Sequence, residues 1–332
     1  MTRRSLPAIL VALAVGIAVV AVPALARRRT VTTTLRLERR ADGTVRAAPD
    51  RARAEGGLTV TAGVDSGAQG DSTAAAPQDA GGAFQTYAFV NSKQLSSSVI
   101  AANDAVIVKG RAQPSQLALA GAPGARAFLV NYEQAAALNS TEASYAEAHG
   151  YLAQTCSGEL IHPRNIPQVT LMDLTNPAAL QWRAAMISDE TATGYDQTYL
   201  DTLGSYFRDA HYTGHPCHDG VPVTNEEWRD ASIALVQAVK ANTGKPVIAN
   251  GAGLGSGGGY FRHQADSDLL IAAADGVQIE HFARNNTEKD VQFLQIAQAR
   301  GKSVFAKCDA SFESCSAAFA PVAGPSAYLA AP

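Results

Sequence analysis

From residue 84 onward, short apolar runs rich in β-branched and aromatic residues alternate with Ala-rich stretches whose apolar positions return every three or four residues. The runs are FQTYAFVN (84–91), AVIVKG (105–110), RAFLVN (126–131), GYDQTYLD (194–201), PVIAN (246–250), GVQIE (276–280) and SVFAKCD (303–309). Between them, NPAALQWRAAMISDETA, NEEWRDASIALVQAVKAN and TEKDVQFLQIAQARG carry helical spacing. Parallel strands cannot be joined by a tight turn and need a crossover, usually a helix, so the alternation predicts βαβ units. Helix-end signals agree. Asn225 stands before Glu226 as a cap and Gly244 just past the same helix, while Thr287 opens a second helix that Gly301 follows.

Each run finishes on a polar residue: Asn91, Lys109, Asn131, Asp201, Asn250, Glu280, and Lys307 or Asp309. Any one strand turns polar as it leaves a core. Seven in register point instead to a closed parallel barrel, whose strand ends converge on one face, rather than to a doubly wound sheet with its site at a single reversal. The expected fold is therefore a (β/α)8 TIM barrel, or an incomplete barrel missing its last unit. Only seven strands are readable, and the chain stops at SAYLAAP, where an eighth would be expected to begin; either one strand escapes this reading, the long amino-terminal region contributes it, or the final unit is missing. An unclosed barrel would leave two strand edges to be covered.

The first 26 residues read as a signal peptide: two arginines, a long apolar run, and ALA before the expected cut after Ala26. An uncleaved membrane anchor is the alternative. Residues 27–81 show no sustained period and read as a disordered linker with one short strand near VTTTLRLERR, leaving 82–332 as the barrel domain. A secreted or cell-surface location follows. All four cysteines lie beyond the export signal, which favours two disulfides: Cys308–Cys315 as the local closure and Cys156–Cys217 as the remainder, with free buried thiols as the alternative. The formal net charge of −3 gives no basis for a nucleic-acid groove, and no obligatory protein partner is evident.

In GYDQTYLD, Tyr195, Gln197, Tyr199 and Asp201 share one strand face, and Asp196 and Leu200 the other. In GVQIEHF, Gln278, Glu280 and Phe282 share a face. Asp201 and Glu280 are then the pair best placed for one cavity, and Asp196 is a structural acceptor for backbone N–H groups. Two carboxyl groups flanking a glycosidic bond suffice for its hydrolysis: Asp201 as nucleophile or charge-stabilising base, Glu280 as general acid. The bland alternatives are a turn cap for Asp201 and an ion pair with Arg284 or Lys307 for Glu280. Tyr87, Asn131, Tyr132, Tyr199, Asn250, Phe282 and Lys307 are candidate substrate-binding residues, amides for hydroxyls, rings for sugar faces and Lys307 for a substrate carboxylate.

MDLTNPAALQWRAAM (172–186), GYDQTYLDTLG (194–204), VIANGAGLG (247–255) and DGVQIEHFAR (275–284) resemble glycoside-hydrolase barrel proteins related in plan to bacterial and fungal polygalactosaminidases. The resemblance spans about residues 82–332. It implies a secreted carbohydrate-active barrel whose active pair, at the ends of strands four and six, falls on Asp201 and Glu280.

Competing motifs are weaker. Gly253, Gly255 and Gly258 match GxGxxG after a strand, but further glycines surround them, and a flexible loop over the barrel mouth is preferred to a nucleotide site. His211, His215, Cys217, His218 and Asp219 are close in sequence, yet no HExxH pattern is present and Cys217 is wanted by a disulfide, so no metal is assigned. A GxSxG elbow is missing too. The expectation is a cofactor-free glycosidase acting on a polysaccharide or amino-sugar bond in an oligosaccharide or polysaccharide. The alternative is a carbohydrate-binding or cell-surface barrel without chemistry.

Overall fold

Eight parallel strands close on themselves: β1 (Gln85–Asn91), β2 (Ala105–Lys109), β3 (Phe128–Gln134), β4 (Gln197–Asp201), β5 (Val247–Asn250), β6 (Gly276–Phe282), β7 (Ser303–Cys308) and β8 (Ala327–Ala330). Each pairs with its sequence neighbours, and β8 pairs back to β1. This computed structural model describes residues 84–322 and 324–330. It also describes four short strands nearer the amino terminus: Thr32–Leu35 paired with Leu58–Thr61, and Leu37–Arg39 paired with Val45–Ala47. The expected signal segment, and the expected linker apart from those strands, lie outside the described residues. Among the described residues no helix is long and apolar enough to cross a membrane.

Strand parity builds two cores. Tyr87, Ile107, Val130, Tyr132, Tyr199, Ile248, Phe305 and Tyr328 fill the barrel. Their alternates, among them Leu200, Ala249, Val277, Val304 and Leu329, face the helical layer. That layer includes α1 (Ser97–Ala102), α2 (Pro114–Leu117), α3 (Ser140–Ala148), α4 (Pro177–Ala192), α5 (Asn225–Thr243), α6 (Gly257–Arg262), α7 (Gln264–Ala273), α8 (Thr287–Ala299) and α9 (Phe312–Phe319).

Three expectations need correction. The barrel is complete, and its eighth strand is the AYLA inside SAYLAAP, where Tyr328 stacks on Phe305 with ring centroids 4.5 Å apart. Two of those four residues are alanines, and the strand exists because β7 and β1 offer edges on both sides. Strand β3 does not stop at Asn131 but runs on to Gln134. The helix caps lie one residue earlier than expected. Thr224 caps α5, exchanging hydrogen bonds with Glu227 in a capping box, and Asn286 caps α8.

Both disulfides form as expected, Cys156–Cys217 and Cys308–Cys315. The first joins the long β3–α4 excursion to the β4–α5 excursion. The same two segments are knitted by backbone bonds, Arg164 N–H to the His211 carbonyl and Thr213 N–H to the His162 carbonyl. Both leave the carboxyl ends of strands, so together they wall one side of the barrel mouth.

Candidate active site

A cavity of ≈ 580 Å³ opens at the carboxyl end of the barrel, with Asp201, Asn250 and Glu280 in its lining. Asp201 ends β4 and accepts three hydrogen bonds. The Tyr132 hydroxyl donates to Oδ2 at 2.5 Å, and Thr202 N–H and Asn250 Nδ2 donate to Oδ1 at 2.8 and 2.9 Å. The turn that delivers the Thr202 N–H holds that residue at φ 57°, in the left-handed region. A β-branched side chain is strained there, so local conformation yields to the geometry of the carboxylate.

The Asn250 amide reaches both acids, since Nδ2 also lies 3.5 Å from Glu280 Oε2. On the far side of Glu280, Lys307 Nζ stands 3.9 Å from Oε1. Below them, Tyr132 stacks on Tyr199 at 5.4 Å. The Tyr199 hydroxyl donates to Gln278 Oε1, and Gln278 Nε2 donates to the Tyr87 hydroxyl at 2.7 Å. Burial first, and then the Asp201 charge, push the Tyr132 and Tyr199 phenols well above their ordinary range, so both remain O–H donors.

Of the residues singled out from sequence, Asp201, Glu280, Tyr132 and Asn250 meet in the cavity lining, with Lys307 against Glu280. Tyr87 and Tyr199 are sealed in the barrel interior beneath it. Asn131 points the other way, its amide donating to Thr191 Oγ1 on α4 at 3.2 Å. Phe282 is likewise turned outward, fully buried against Phe319. The β6–β7 register breaks between Ile279 and Phe282, which reverses the parity and brings His281 to the cavity in its place. Asp196 sits at the opposite end of β4, where its Oδ2 accepts the Leu129 N–H at 2.7 Å. Arg284 pairs with Asp309, at 3.8 Å, rather than with Glu280.

The loops add residues that strand patterns do not reveal. Tyr206, Arg208, His211 and Tyr212 come from the β4–α5 excursion, Gln134 from the extension of β3, His281 from within the β6 irregularity and Arg284 from beyond it. Tyr206 stacks on His263 with centroids 3.8 Å apart, and Arg208 Nη1 donates to the Leu254 carbonyl at 3.2 Å. For Tyr206, Arg208 and Tyr212 the sequence signal was position in a loop that follows a strand end.

The glycine-rich segment has a packing role. A Cβ on Gly251 would sit 1.9 Å from the Leu203 carbonyl oxygen, and one on Gly257 2.0 Å from that of Lys289. The N–H of Gly257, which opens α6, donates to buried Asp290 at 2.7 Å. An internal carboxylate thus occupies the place where a pyrophosphate would bind. The histidine-rich segment is dispersed among other partners. Cys217 is in its disulfide, His215 Nδ1 meets Asp209 at 2.6 Å, and His218 meets Asp173 at 2.6 Å. Among the described residues no three His, Cys, Asp or Glu side chains form a metal-ligand set.

No family model and no curated protein sequence matches the chain. Solved structures do. A single-residue variant of the glycoside hydrolase domain of PelA from Pseudomonas aeruginosa is 14% identical, with a TM-score of 0.52 over 75% of this chain and 96% of that one. The same domain without the substitution gives 16% identity and a TM-score of 0.48 over 70% and 87% of the two chains. Aspergillus fumigatus Ega3 in complex with galactosamine gives 15% and 0.45 over 68% and 78%. The likeness is one of fold.

Proposed function

We propose that this protein is an exported glycoside hydrolase that cleaves a bond within a polysaccharide or oligosaccharide with Asp201 and Glu280. The observation that carries this reading is the Asn250 amide, which hydrogen-bonds both carboxylates at 2.9 and 3.5 Å in one cavity wall. Those two oxygens can be no further apart than the two contacts laid end to end. This puts one oxygen of each acid on the same space, and the course assigned here is the retaining one, which needs carboxyl groups roughly 5–5.5 Å apart.

The unequal surroundings assign the roles. Asp201, held in place by three donors, attacks the anomeric carbon as the leaving oxygen takes the proton of Glu280. Glu280, then ionised, draws a proton from the water that displaces Asp201 from the glycosyl intermediate. Lys307 holds Glu280 from the side away from Asn250. Export is supported by the amino-terminal apolar segment and by the two disulfides, which persist in oxidising compartments.

The test is to screen the purified protein against a panel of polysaccharides for new reducing ends, then to follow the first product's anomeric signal by NMR before mutarotation. Retained configuration is expected. An inverted product would overturn the assignment of Asp201 as nucleophile, and no turnover on any glycan would overturn the hydrolase reading.

A further inference from the structure

Above the carboxylate pair the cavity walls carry one sign of charge. Lys109 at the end of β2, Arg208 in the β4–α5 excursion and Arg284 after β6 all line it, whereas Asp201 and Glu280 are its only acidic lining residues among those described. Among the described residues, two of these cations are not neutralised by carboxylates. Lys109 rests over the Tyr132 ring, with Nζ 5.5 Å from the centroid, and Arg208 is held by the Leu254 carbonyl at 3.2 Å. Arg284 shares Asp309 with His281, which takes the shorter contact at 2.8 Å against 3.8 Å. Lys307, beside Glu280, adds a further positive charge at the edge.

Catalysis sharpens the imbalance. When Glu280 carries its proton, Asp201 is the one anion left facing these cations. A protonated amino sugar would bring an ammonium among ammonium and guanidinium groups. A sugar bearing a carboxylate or a sulfate ester would instead meet charge-assisted donors, and Arg208, partly buried and anchored through one nitrogen, has others left to offer in its planar fork.

We propose that the cavity takes an acidic polysaccharide, with Lys109 and Arg208 binding the anionic groups of its sugars from separate walls of the site. This rests on the hydrolase reading of the same cavity and names its substrate class. The aromatic surfaces fit such a chain as well: Tyr206, backed by His263, lies next but one to Arg208 and offers a ring to the sugar whose acidic group the arginine holds.

The experiment is titration calorimetry of the unmodified protein with trisaccharides of four kinds: uronate, sulfated, neutral and galactosamine, with products assayed in the same samples. One acidic set is expected to bind about tenfold or more tighter than the neutral set, and that set identifies the group as carboxylate or sulfate. The advantage should shrink as salt is added. The K109Q/R208Q double variant should lower acidic binding to the neutral level, and the salt series on the unmodified protein gives a readout that does not depend on the variant folding. Neutral or galactosamine trisaccharides binding as tightly as both acidic sets would overturn the proposal, as would an acid preference unchanged in the double variant. Turnover of galactosamine oligomers with no acid binding would sink this inference and leave the hydrolase reading intact. Acid binding without turnover of any glycan would do the reverse.

Discussion

Asp201 owes its position to Tyr132 as much as to its own strand. The hydroxyl that donates to Oδ2 is supplied two strand positions above the Val130 layer, from a ring clamped between Tyr199 and Phe89. Removing that hydroxyl leaves the ring packing untouched, so the effect belongs to the hydrogen bond alone. Tyr132→Phe should lower kcat roughly 10- to 100-fold, as expected for a donor to a charged group, with the melting temperature nearly unchanged. A kcat equal to that of the unmodified protein would show that Tyr132 does not hold the carboxylate during the reaction. Sequence parity was enough to place Asp201 and Glu280 on inward faces, because a strand's period of two is a local property, whereas Tyr132 lay past the expected end of its strand and was named without a face. The same rule failed at Phe282, where an irregularity in the β6–β7 pairing reverses it; register between strands distant in sequence is not written in either one.

Among the elements, α8 does more than cover the barrel. Asp290 in its first turn is buried and accepts the N–H groups of Gly257 and Ala283, tying the loop after β5 to the loop after β6. Burial pushes its carboxyl up, while the two N–H groups pull it back towards the charged form. Asp290→Ala would orphan both N–H groups, at a cost of about 1–3 kcal/mol each, and should lower thermal stability together with kcat/KM, because His281 and Arg284 flank Ala283. On the other side of the mouth, His215 is held by Asp209 and by the Val223 carbonyl at 2.6 Å each. Burial opposes its charging, but the Val223 carbonyl and Asp209 together raise it above the usual imidazole value. Its folded value exceeds its unfolded one, so its contribution is complete below about pH 6.5 and is lost as pH rises through the folded value. The melting-temperature gap between the unmodified protein and His215→Ala should therefore narrow from pH 5 to pH 8, as followed by thermal scans. These ties join residues far apart in sequence. That is why the loops carrying Tyr206, Arg208 and Arg284 were not legible, whereas helices α4, α5 and α8 were, through their apolar spacing.

At the scale of the whole molecule, closure is the decisive feature. AYLA is too short and too rich in alanine to announce a strand, but the barrel presents two edges to it, and it pairs with both. The expectation of a missing unit fails for that reason, and with it the main ground for a barrel without chemistry. The Cys156–Cys217 bridge, spanning 61 residues, constrains the two excursions that wall the site. By loop-closure entropy it contributes about 4 kcal/mol, so the C156S/C217S variant should melt markedly lower in denaturant titrations.

The account as a whole turns on two carboxylates acting as a unit, and the most direct measurement is the turnover number of Asp201→Asn and Glu280→Gln on the first glycan the unmodified protein hydrolyses. Both variants should fold with unchanged melting temperatures and lose about 10²–10⁴-fold in kcat. Either one turning over its substrate at the unmodified rate would contradict the account.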